Sequence, residues 1–268
     1  MNAPNISDKA FAALSKRFLS GSGISLTTDK KALVEARLRS RLVAMGHASF
    51  EAYCDFLERQ DDGSEHQTLI DLLTTNETYF FREPRHFTRL AQEASKRFAH
   101  SPMRVWSAAC SSGEEPYSLA MLLLDQRPLQ PWEIHASDIS SRALERARCG
   151  VFPLQRLEHM PAGYLERFCL RGHGRYQGRL RVNEEVRSRV QFFQHNLLGP
   201  ARPSGRFEVI FLRNVLIYFD QASKLRLLSN VLSVLAPGGL LFVGHAEPLH
   251  GLTLPLDRVS DALFEKRG

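Results

Sequence analysis

The chain has 268 residues, 43% hydrophobic and 24% charged, which is the make-up of a globular protein and excludes a disordered one. No apolar run approaches the roughly 20 residues that span a bilayer, and Met1 to Lys9 lacks the basic and apolar stretches of a signal peptide, so a cytoplasmic protein without direct membrane insertion is expected. The formal charge of +6 favours an anionic partner, and the scattered Cys54, Cys110, Cys149 and Cys169 have no zinc-like spacing, so a reduced protein with no metal is expected.

The first third reads as helices. Phe11, Leu14 and Phe18 share one face of a helix from Asp8 to Leu19, which Gly21 and Gly23 stop. Thr28 is placed to cap a second helix carrying Val34, Leu38, Leu42 and Met45 as far as Gly46. A third starts at Ser49, with Phe50, Tyr53 and Phe56 or Leu57 inward. Ser64 and Gln67 form a capping box for a fourth, which bears Leu69, Ile70, Leu72 and Leu73. A polar interruption, Thr74 to Thr78, precedes Tyr79-Phe80-Phe81-Arg82, and Pro84 opens a helix to about Ala99.

From Arg104 strands and helices alternate. Strands are expected at Arg104–Ala109, Glu133–Ser137, Val190–Gln194, Phe207–Leu212, Leu240–Gly244 and Ala262–Lys266, and helices at Pro116–Leu124, Ser140–Arg148 and Lys224–Leu235. That alternation implies an α/β fold with a mainly parallel, doubly wound sheet. The interval from about Val151 to Arg189 breaks the rhythm. Phe168–Arg171 and Arg179–Val182 read as a hairpin around a glycine-rich loop, with Val186–Val190 as a third strand of a small antiparallel insertion.

Ligands of such sheets sit beyond the carboxyl ends of the strands. The first strand ends in Ala108-Ala109-Cys110-Ser111-Ser112-Gly113, whose small residues allow a tight turn and close approach to the backbone. Glu114 and Glu115 open the next helix, where they repel a pyrophosphate and suit a cationic ligand such as S-adenosylmethionine, or simply favour the helix dipole. Asp138 ends the second strand, placed to accept from two ribose hydroxyls or to cap the next helix. Asn196-Leu197 offers an amide and an apolar face to an adenine, and Arg213 to Tyr218 lies where a reactive methyl belongs.

Six ordered segments, Thr75–Arg82, Trp106–Ala120, Ala136–Ser140, His195–Leu198, Arg213–Asp220 and Pro237–Glu247, together resemble the chemotaxis receptor glutamate methyltransferases, the CheR family. The resemblance runs from the N-terminal helices to about Glu247. It implies an all-α N-terminal domain over 1–75, a linker and helix over 76–99 that contribute to the cofactor site, and a Rossmann-like methyltransferase domain over 100–268 with a β-subdomain inserted at about 151–189. It implies S-adenosylmethionine as methyl donor and S-adenosylhomocysteine as product. It assigns Asn76, Thr78, Arg82, Glu114, Asp138, Asn196, Leu197, Arg213 and Asn214 to the cofactor, and Arg82 and Tyr218 to the chemistry.

The implied substrate is a set of glutamates on the acidic, helical cytoplasmic region of chemoreceptors. Lys30, Arg37 and Arg41 form one basic flank of the second helix, suited to that partner or merely solvated. The loop with Gly172, Gly174 and Gly178 resembles members that bind a receptor C-terminal tail peptide by strand addition. His245 and Glu247 read more readily as a strand-end histidine and a structural acid than as catalysts. A monomer with no nucleic-acid partner is expected. A nucleic-acid methyltransferase is disfavoured because Arg213-Asn214-Val215-Leu216 lacks prolines and the basic residues lack interleaved aromatics. A dehydrogenase is disfavoured by the missing glycine fingerprint, and a non-catalytic adaptor by the retained cofactor residues.

Overall fold

A computed structural model of the chain describes residues 5–200 and 204–268. Four helices come first: α1 (Asp8–Ser22), α2 (Lys31–Ala44), α3 (Phe50–Arg59) and α4 (Ser64–Leu73). Their apolar stripes close on one another, with Phe11, Leu14 and Phe18 meeting Val34, Leu38, Phe50, Tyr53, Leu57 and Leu69 in one core. Ser7 and Ser49 cap α1 and α3 by accepting from the N–H groups of Ala10 and Ala52.

Two expected caps do not form. Thr28 begins a short 3-10 turn, Thr28–Lys30, that runs straight into α2. Ser64 and Gln67 make no capping box. The Asp61 carboxylate accepts from the N–H groups of Glu65 (2.9 Å) and His66 (2.8 Å), while Gln67 Nε2 donates to Ile139 O at 3.0 Å. A full negative charge serves the positive end of a helix better than a hydroxyl.

The chain continues through α5 (Pro84–Arg97), β1 (Met103–Ala108), α6 (Glu114–Gln126), β2 (Trp132–Asp138), α7 (Ser141–Cys149), β3 (Val151–Pro153), α8 (Tyr164–Phe168), β4 (Cys169–Arg171), β5 (Arg179–Val182) and α9 (Glu184–Arg187). It ends with β6 (Val190–Gln194), β7 (Phe207–Leu212), α10 (Gln221–Val234), β8 (Leu235–Val243), β9 (Leu256–Ser260) and β10 (Leu263–Lys266). The main sheet has the order β6-β2-β1-β7-β8-β10-β9. Pairs from β6 to β8 are parallel, and β10 is antiparallel to both β8 and β9. Successive residues serve opposite faces. Val105, Val209, Phe211 and Phe242 pack into the core that includes α5 and α6, and Trp106, Ile210, Leu212 and Leu241 into the core that includes α10.

The small sheet has the order β3-β5-β4 and is antiparallel. Its third strand is β3, not Val186–Val190. Asn183 accepts from Val186 N–H at 3.1 Å and starts α9, and Val190 opens β6 of the main sheet. The edge strand β9 was not anticipated. Among the described residues no helix is long and apolar enough to cross a membrane.

Candidate cofactor and active site

The sheet reverses direction of progression between β1 and β7, because β2 and β6 follow on one side and β7 and β8 on the other. A crevice opens there at the carboxyl ends of parallel strands. Here it is a cavity of about 480 Å³, within the range of small-molecule sites. One wall comes from the helical domain, through Phe18, Ile24, Leu26 and Lys30.

All the residues assigned to cofactor or chemistry line this cavity except Glu114. Asn76, Thr78 and Arg82 come from the polar segment after α4, which is held from several sides. Arg37 Nη1 donates to Leu73 O (2.7 Å) and Thr74 O (3.1 Å), Ser111 Oγ to Asn76 O (3.1 Å), and Arg156 Nη1 to Thr78 O (2.9 Å). The Arg82 guanidinium donates to Glu77 O at 2.9 Å.

The turn after β1 carries positive φ at Ala109 (67°), Ser111 (51°) and Gly113 (98°). Among the described residues, non-glycine positive φ also occurs at Phe81, Glu83 and Asn214, all beside the cavity, and at the remote Ala262. Backbone held this way is strained and persists only where its surroundings enforce it. Asp138 is one such support. It ends β2 buried and accepts from Ser111 N–H (2.8 Å) and Ser140 N–H (2.9 Å). Burial raises its pKa, opposed by those hydrogen bonds. Each carboxylate oxygen keeps a lone pair for a further donor, as a ribose diol requires.

The two glutamates opening α6 separate. Glu114 is fully buried and faces away from the cavity, pairing with Arg156 (2.5 Å) and accepting from Ser112 Oγ (2.7 Å). Burial raises its pKa. Glu115 lines the cavity, accepting from Ser107 Oγ at 2.7 Å and pairing with Arg213 Nη1 at 2.8 Å. Arg213 Nη2 also reaches Glu83 at 3.1 Å, and Asn214 Nδ2 donates to the same carboxylate at 3.2 Å. Burial pushes the Glu83 carboxyl up, but Arg213 and Asn214 outweigh it and hold its pKa below the ordinary value.

Arg213, Asn214 and Tyr218 follow β7 on a loop tied to Glu247. That buried carboxylate accepts from the N–H groups of Asn214 (2.6 Å), Leu216 (2.6 Å), Ile217 (3.3 Å) and Gly244 (2.8 Å). Burial raises the pKa of Tyr218, so it stays a phenol.

Leu197 lies in the wall as expected, but the Asn196 amide is occupied. It donates to Gly21 O at 2.8 Å and accepts from Leu198 N–H at 2.9 Å, joining α1 to the end of β6. Of the basic flank, Lys30 is exposed at the cavity. Arg37 and Arg41 turn inward, the former to the polar segment and the latter to the buried Glu65, from which Arg41 Nε lies 2.9 Å. Gly172 sits where a Cβ would meet Tyr176 O at 2.1 Å, so the tight hairpin loop requires it. Gly174 and Gly178 lie on the same loop with open space around them.

Sequence reasoning misses Glu83, and it reads Glu115 with Glu114 as suiting a cationic ligand while assigning only Glu114 to the cofactor. A rotation of one residue at the start of α6 decides which glutamate meets the ligand, and no pattern in the sequence fixes that phase.

Two family descriptions match consecutive parts of the chain: the all-alpha domain of CheR methyltransferase over residues 9–74 and its SAM-binding domain over residues 76–262. The chain belongs to the CheR methyltransferase family. Among its relatives, chemotaxis protein methyltransferase 2 of Pseudomonas aeruginosa is 45% identical over 88% of this chain and 85% of its own length. The chemotaxis protein methyltransferases of Salmonella typhimurium and Escherichia coli are each 41% identical, over 92% and 90% of this chain and 86% and 85% of theirs. Among solved structures, the glycopeptide N-methyltransferase MtfA with S-adenosylmethionine aligns at a TM-score of 0.37 and 21% identity, over 67% of this chain and 58% of its own. As a CheR protein the chain is an S-adenosylmethionine-dependent methyltransferase. The donor set suits that cofactor: a buried acid, Asp138, at the end of β2 and a second acid, Glu115, on the wall.

Proposed function

We propose that this CheR protein methylates glutamate side chains on the helical cytoplasmic region of chemoreceptors, yielding methyl esters and serving sensory adaptation. The observation that carries the reading is one cavity shared by both domains, with Asp138, Arg82, Tyr218 and Lys30 of the helical domain all in its wall. Asp138, Asn76, Thr78, Leu197 and Arg213-Asn214 would hold S-adenosylmethionine, which supplies a methyl group on a cationic sulfur. Glu114 acts indirectly, fixing Arg156 and through it Thr78. Asn196 acts by locking the two domains together.

A glutamate side chain has a pKa near 4.3 and is already ionised at neutral pH, so no general base is needed. Arg82 attracts the incoming carboxylate, and Tyr218 shapes the pocket as a neutral phenol. The helical domain excludes water where charge is lost on the way to products, and alignment does the rest.

Lys30 belongs to the receptor-facing surface in this reading, with Arg37 and Arg41 supporting the helix behind it. The second receptor contact is an edge of the small sheet. Leu170 of β4 is 59% exposed, and the adjoining loop of Gly172, Gly174 and Gly178 presents Tyr176 at 45%, so a receptor tail peptide can add a strand there. The setting is cytoplasmic, with the chain acting as a monomer and without nucleic acid or metal in the transfer step.

Incubation with labelled S-adenosylmethionine and receptor tests the function. The expected product is base-labile label on receptor glutamates, released as methanol. Base-stable label, or label on nucleic acid, contradicts it.

A further inference from the structure

Beside Arg213 and Asn214, which both contact the Glu83 carboxylate, stand two histidines that methyl transfer does not use. Glu83, at the cap of α5, His86, in its first turn, and His245, just past β8, each offer one ligand atom, all within 4.8 Å of one another. Glu83 Oε2 lies 3.3 Å from His86 Nδ1 and 3.2 Å from His245 Nδ1. Two ligands at about 2.0–2.1 Å from a tetrahedral ion stand roughly 3.3–3.4 Å apart. Those two separations match a common tetrahedral ion as well as they match direct pairing, and the two rings lie against each other with centroids 4.6 Å apart.

Three further observations agree. His86 is only 3% exposed, and neither of its ring nitrogens makes a hydrogen bond among the described residues. Its polar neighbour at Nδ1 is the Glu83 carboxylate at 3.3 Å, so this buried imidazole is held without a hydrogen bond, and an ion between the two groups would supply one cause. Glu83 adopts φ 58°, a strained conformation, with its carboxylate shared between Arg213, Asn214 and the two rings. The His245 side chain is 45% exposed, so the cluster has a route to solvent and an open position for water.

We propose that Glu83, His86 and His245 form a binding site for a divalent transition metal of the zinc class, set beside the cofactor site. Two imidazoles and one carboxylate with an open fourth position is a zinc-type donor set. Burial, reinforced by Arg213, drives the pKa of His86 down to about 3, so its imidazole is neutral at physiological pH and free to ligate. The opposing charge is Arg213, which shares Glu83 Oε2 at 3.1 Å. Arg213 retains Glu115 when an ion takes Glu83. The site therefore competes with one of its two ion pairs, which makes it a modest, reversible binder rather than a permanent structural site.

Titration of the full chain with zinc chloride alone, followed by calorimetry, tests this independently of methyl transfer. His245→Ala should bind one zinc fewer than the unsubstituted chain. Cys149→Ser, which removes an exposed thiol, should lose none of that equivalent. His245→Gln, which keeps bulk and polarity but lacks the imidazole, should behave as the alanine variant does. Cobalt chloride should give tetrahedral visible bands that both His245 variants lack. Zinc binding unchanged in the His245 variants overturns the site, as does absence of binding by the unsubstituted chain at micromolar zinc.

Discussion

Single side chains divide the cavity wall into those that meet ligand and those that hold them. In the proposed reading Asp138 belongs to the first group. Asp138→Ala should cost about 1.5–3 kcal/mol of binding, the worth of hydrogen bonds to a charged group. Calorimetry with S-adenosylmethionine should then read a Kd about 10- to 150-fold higher. The neighbouring glutamates give a sharper contrast. Glu115→Ala frees one arm of Arg213 and should weaken cofactor binding with little change in melting temperature. Glu114→Ala leaves Arg156 without its buried partner and should lose about 1–3 kcal/mol of stability by chemical denaturation. The opposite ranking of the two variants would refute the division. The sequence showed both acids and the turn before them. It did not show which faced the cavity, because rotation about a helix axis is fixed by contacts with Ser107 on the preceding strand and with Arg156 far along the chain. Glu247 is the same lesson reversed. It reads as a structural acid, and its four N–H donors show how much of the Asn214–Ile217 loop depends on it.

Among the elements, the turn between β1 and α6 is the most constrained. A Cβ at Gly113 would stand 2.8 Å from Ala147 Cβ and 3.0 Å from its Cα, at φ 98°. Gly113→Ala should therefore destabilise the protein by about 1–3 kcal/mol, read as a lower denaturation midpoint. Helix α2 bears on the surface proposed for the receptor. Arg41→Ala strands the buried Glu65 and should cost about 1–3 kcal/mol, below the full price of a buried pair because Arg41 is itself accessible. Lys30→Glu should leave stability unchanged and reduce receptor methylation alone. A melting temperature equally low in both variants would contradict that separation. Long apolar patterns made α1 to α4 and the parallel strands legible. Short elements were not: α9 has four residues and a single buried side chain, Val186, and β9 buries only Leu256, so neither offers a period to read.

At the scale of the molecule, the helical domain and the sheet act as two halves of one vessel. Asn196 to Gly21, Gln67 to Ile139 and Ser141 to Asp71 cross between them. Hydrogen exchange should therefore show S-adenosylmethionine protecting amides from Ser22 to Lys30 as well as those at the ends of β1, β2 and β7. Protection confined to the sheet would contradict a shared cavity. Lys30 stands both in the cavity wall and on the face proposed for the receptor. A receptor seated there lies across the entrance, which imposes an order on turnover. Cofactor must enter before the receptor docks, and spent cofactor must wait for the receptor to leave. Steady-state product inhibition should follow a compulsory sequence with cofactor leading, and excess receptor should slow cofactor exchange instead of competing with it.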